Sequence, residues 1–99
     1  MLNRRSSSAM ENDKLRQLLH QIDEEIKTTH VVDEKGSEML RNLERDINTL
    51  LERSGENPIS VHPSITHRFE DALSYFEVTH PTLTIAISKF LESLSNAGV

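Results

Sequence analysis

The chain is 99 residues long, 35% apolar and 27% charged, with a net charge of −5 and no cysteine. That length bounds it to one domain, the missing cysteines exclude disulfides and thiolate metal sites, and the acidic balance argues against a nucleic-acid partner, because phosphate binding needs clustered Lys and Arg. The apolar fraction is low for a globular domain, so narrow apolar stripes are expected, of the kind a second copy of the chain helps to cover.

The opening Met1-Leu2-Asn3-Arg4-Arg5 is basic, but Ser6-Ser7-Ser8 stands where a secretory signal needs an apolar stretch. Residues 1–11 read as a disordered lead, followed by a single domain over 12–99. Leu15, Leu18, Leu19, Ile22 and Ile26 recur at helical spacing. Asn12 or Asp13 is a suitable N-cap, and the β-branched polar run Thr28-Thr29-His30 favours a stop, which gives a first helix over 12–28.

The second helix has the clearest period, with Met39, Leu40, Leu43, Ile47, Leu50 and Leu51 on one stripe. Asp33 is its expected cap, Val32 its expected staple, and Gly36 a weak point that could delay the start to Ser37. Arg53-Ser54-Gly55 reads as its end. Glu38, Arg41, Glu44, Arg45 and Asp46 are expected on its wet faces. Pro63 then opens a third helix carrying Ile65, Phe69, Ala72, Leu73 and Phe76, and Pro81 opens a fourth carrying Leu83, Ala86, Ile87, Phe90, Leu91 and Leu94.

Two segments echo one another, Val61-His62-Pro63-Ser64-Ile65-Thr66 and Thr79-His80-Pro81-Thr82-Leu83-Thr84. Both read as His-Pro helix starts with a hydroxyl in the first turn, since their flanks do not match. Pro81 cannot donate to the carbonyl of Glu77 and crowds it, so the chain must bend at His80. Glu77, His80 and Pro81 are therefore expected to form a structural elbow, with His80 either beside the orphan carbonyls of the third helix or at the N-cap of the fourth, and with the Glu77 carboxylate reaching back to hold its ring.

The segment Phe76-Glu77-Val78-Thr79-His80-Pro81-Thr82-Leu83, with Leu94-Ser95-Asn96-Ala97-Gly98-Val99 at the end, resembles a family of small bacterial proteins catalogued as domain-of-unknown-function family 4404. Lys14-Leu15-Arg16-Gln17-Leu18 and Leu40-Arg41-Asn42-Leu43-Glu44 are similar to that family's first two helices, so the resemblance spans residues 13 to 99. The Ser-rich lead and the final Val99 depart from the pattern. The family has no established activity. The resemblance implies a compact bacterial helical protein and transfers no catalytic residue.

Chemistry-bearing constellations are sparse. A dimetal bundle needs two Glu-x-x-His pairs and two further Glu, and only Glu77 and His80 form such a pair, at the elbow. His20 with Glu24 and His67 with Asp71 lie off the apolar stripes and read as solvated faces. There is no phosphate loop and no marked nucleophile with an oriented base, so no enzyme activity, cofactor or metal site is expected. No apolar run nears the ~20 residues of a membrane span; a cytoplasmic protein without a membrane partner is expected.

The sequence thus predicts an all-α fold: a small bundle of four helices, a hairpin followed by two C-terminal helices joined at a His-Pro elbow, completed by dimerisation. The apolar residues of helix four, Ile85, Ile87, Phe90, Leu91 and Leu94, spread over more than one stripe, so one face is expected in the core and another against a second subunit, and these residues form the candidate interaction surface. The expected role is a protein-interaction or self-assembly module, with a homodimer favoured over an unidentified protein partner. The alternative is a small-ligand or metal-binding bundle using Glu77 and His80.

Overall fold

In a computed structural model the chain forms α1 (Leu2–Thr28), α2 (Glu34–Arg53), α3 (Pro63–Phe76) and α4 (Pro81–Asn96). The structure describes residues 2–30, 33–53 and 61–96, and the side chains of 2–12, Arg53 and Asn96 lie outside that description. The expected Val32 staple, the Ser54-Gly55 stop and the final Ala97-Gly98-Val99 fall outside the described residues.

Local chemistry accounts for most helix ends. At the end of α1, the Thr28 hydroxyl donates to the carbonyls of Glu24 (3.3 Å) and Glu25 (3.2 Å), and the Thr29 hydroxyl also donates to Glu25. The Thr29 amide closes a tighter turn on Ile26 at 3.1 Å. Carbonyls left over at a helix end are thereby satisfied locally.

At α2 the Asp33 carbonyl takes the Ser37 amide (3.1 Å) and its carboxylate takes the Gly36 amide (3.3 Å), the two bonds of an N-cap. This cap carries the helix through Gly36, so it starts at Glu34 and not at Ser37. Pro63 and Pro81 occupy first helical positions, where a missing amide proton costs nothing.

The α1 start differs from expectation: the helix begins at Leu2, upstream of residue 12. Apolar periodicity reports only where a helix packs. Arg4, Arg5, Ala9, Met10 and Glu11 are good helix formers, and neither Gly nor Pro interrupts them.

The helices neighbour one another in a ring, α1 with α2, α2 with α3, α3 with α4, and α4 back with α1. Short connections make consecutive neighbours antiparallel. Contacts among His30, Asp33, Tyr75 and His80 accordingly gather the end of α1, the start of α2, the end of α3 and the start of α4 at one pole.

The core takes one stripe from each helix: Leu15, Leu18, Leu19, Ile22 and Ile26; Leu40, Leu43, Ile47 and Leu50; Ile65, Phe69, Ala72 and Phe76; Leu83, Ala86, Ile87 and Phe90. Phe69 and Phe90 meet across α3 and α4 with ring centroids 5.3 Å apart. The stripes are covered within a single chain.

The apolar residues of helix four fall mostly on the internal side of that reading. Ile87 and Phe90 are fully buried, and Leu91 and Leu94 pack partly against the core, while Ile85 alone of the five is exposed, at 55%. A helix in a ring touches two neighbours, so its apolar arc must be wide without any second subunit. Phe90→Ala should therefore cost about 3–5 kcal/mol, and Ile85→Ala no more than about 0.5 kcal/mol, as read by urea denaturation.

Candidate functional site

Among the described residues, polar chemistry gathers at the elbow, at the cap of α2 beside it, and at an ion pair between α2 and α3. At the elbow α3 ends at Phe76, residues 77–79 turn, and α4 begins at Pro81. The His80 amide donates to the Phe76 carbonyl at 2.8 Å, satisfying one orphan of α3. The His80 carbonyl accepts the Thr84 amide at 3.2 Å, which makes His80 the first hydrogen-bonded residue of α4.

The ring of His80 reaches across the pole. Its Nε2 donates to the carbonyl of His30, 3.0 Å away beyond the end of α1. A carbonyl only accepts, so Nε2 carries a proton. Nδ1 meets the Thr79 hydroxyl at 2.9 Å, and the ring stands edge-on to Phe76 at 5.4 Å.

The expected Glu77–His80 bond is therefore not the one formed. Among the described residues the exposed Glu77 side chain has no hydrogen bond or ion pair. A carboxylate in water loses little by standing alone, whereas the His30 carbonyl gains a partner from the ring.

Beside the elbow, the Tyr75 hydroxyl donates to the Asp33 carboxylate that caps α2. Lys35 sits 5.4 Å over the Tyr75 ring. The Tyr75 bond holds the Asp33 carboxyl below its usual range, and the same bond pushes the phenol of Tyr75 up. A depressed carboxyl contributes stability above its unfolded value and loses it as pH falls through the folded one. The stability gap between the wild type and Tyr75→Phe should accordingly be small, present at neutral pH, and close below about pH 4 in thermal melts.

The ion pair was legible in part. Asp46 was expected on a wet face, yet it is 7% exposed. It lies three residues after Leu43 and four before Leu50, on the buried stripe itself, and that placement was the available signal. Arg68 of α3 binds both its oxygens, Nε to Oδ2 at 2.7 Å and the second nitrogen to Oδ1 at 3.0 Å. This two-pronged geometry is the strong form of the contact. Every buried side-chain nitrogen and oxygen among the described residues has a partner. Arg68→Ala leaves Asp46 desolvated and unpaired; a loss of about 2–3 kcal/mol is expected in chemical denaturation, with a smaller loss in Asp46→Asn.

Among the described residues no group of three or more His, Asp or Glu is placed to hold a metal ion. His20 and Glu24 are exposed, and His67 lies 3.9 Å from Glu70 on an exposed face. No helix among the described residues is long and apolar enough to cross a membrane.

A family model described as "Domain of unknown function (DUF4404)" matches residues 15–99. The chain belongs to this family. The matched span takes in the packed part of α1, the capped start of α2, the Asp46–Arg68 pair and the whole elbow. No curated protein and no solved structure matches the chain.

Proposed function

We propose that this DUF4404 protein is a non-enzymatic interaction module that pairs with a second copy of itself through the elbow pole and the outward side of α4. The observation that carries this reading is the placement of its exposed large apolar side chains. Among the described residues these are Val78 (89% exposed) at the elbow, Ile85 (55%) in the first turns of α4, and Tyr75 (37%) in the last turn of α3.

The interior supports the same reading. It is filled by apolar side chains from all four helices, and the two buried polar residues among the described ones, Asp46 and Thr84, are both satisfied. Groups free to meet a partner lie on the outside. A contact of two identical chains is self-complementary, with one patch serving both sides. Three apolar side chains fall short of the ~800 Å² per partner of a standard interface, so the association is weak and reversible.

A metal or small-ligand role for Glu77 and His80 has less to support it, because both ring nitrogens of His80 are already engaged. Sedimentation of the wild type and of a Val78→Glu, Ile85→Glu double variant separates the outcomes. Self-association of the wild type at high micromolar concentration, lost in the variant with helicity retained, is expected. A strictly monomeric wild type would remove the self-pairing and leave an unidentified protein partner to be sought.

A further inference from the structure

The two His-Pro helix starts that look alike in the sequence use their imidazoles in opposite ways. At α3, His62 is the N-cap, extended at φ −66° and ψ 143°. Its Nδ1 accepts the Ser64 amide at 3.1 Å. An amide nitrogen has only a proton to give, so Nδ1 must be bare and the ring neutral. The Ser64 hydroxyl, 2.9 Å from the same nitrogen, can donate or accept and fits either state.

At α4 the His80 ring donates through Nε2 to the His30 carbonyl, and its Nδ1 faces a hydroxyl that again fits either state. A protonated His80 keeps both bonds. It also faces Asp33, whose charged form it favours.

We infer that the protein carries a one-ended proton switch, in which protonation of His62 uncaps the first turn of α3 while the elbow pole stays bound. A proton on Nδ1 turns the acceptor into a donor. The ring then keeps only the Ser64 hydroxyl, and the Ser64 amide loses its side-chain partner. The new positive charge sits at the positive end of the helix dipole, which opposes it further.

Among the described residues no charged side chain on α2, α3 or α4 hydrogen-bonds or ion-pairs with the His62 ring. At the opposite pole, Asp33 and Lys35 from α2 stand near His80, Phe76 and Tyr75. A cap that needs a bare Nδ1 holds the turn only while that nitrogen carries no proton. The turn released is the one that carries Ile65 onto the core.

Thermal midpoints of the wild type and His62→Asn, taken at about pH 7.5 and about pH 5.5, test this directly. Asparagine offers a capping oxygen at both. The wild type should fall further than the variant by roughly 2–5 °C. In wild-type NMR titrations the Ser64 amide should move with the midpoint of the His62 ring, and the Thr84 amide should not follow it. Equal falls in both proteins, or a Ser64 amide indifferent to the ring, would overturn the inference; the titration needs no variant.

Discussion

Burial of the α1 stripe against α4 closes the ring of helices, and it joins the two elements furthest apart in the chain. Leu19 and Ile22 from one side and Ile87 and Phe90 from the other are fully buried. Each such side chain contributes about 1.5–3 kcal/mol on leaving water. That gain is set against the ordering of every residue between the two helices, at about 1–2 kcal/mol of backbone entropy each. The seam is therefore favourable only when α2 and α3 bury their own stripes at the same time, and the four helices depend on one another.

Apolar stripes alone leave the register of such a ring loosely set, because one turn of Leu and Ile resembles the next. Directional contacts supply what is missing. Asp46 and Arg68 fix α2 against α3, and they do so across the longest connection, residues 54–62. At the opposite pole the His80 ring ties the start of α4 to the end of α1, and Tyr75 ties the end of α3 to the cap of α2. The ties of His80 and Tyr75 gather the cap of α2 and the elbow at one pole, beside the exposed Val78.

Much of this was readable from residue order. Spacing of Leu15 to Ile26, Leu40 to Leu50, Ile65 to Phe76 and Leu83 to Phe90 named the core side chains, because each helix buries a face that recurs every three or four positions. Asp33, Pro63 and Pro81 marked true helix starts through capping chemistry. What periodicity could not supply was the identity of neighbours. The sequence assigns Ile87 and Phe90 both to the core and to a surface for a second subunit, because it does not say that α4 touches two helices of its own chain. The partner of His80 was misjudged as Glu77 because the nearer residue in sequence is not the nearer group in space, and a backbone carbonyl such as that of His30 leaves no mark in residue type.

One chain closes its own core, so that any pairing of two copies is a separate and weaker event. The dependence of the thermal midpoint on protein concentration in the low micromolar range tests it most directly. A self-sufficient bundle predicts a midpoint that does not move with dilution. A midpoint that falls steadily on dilution would show that folding needs a second chain, and would contradict the account.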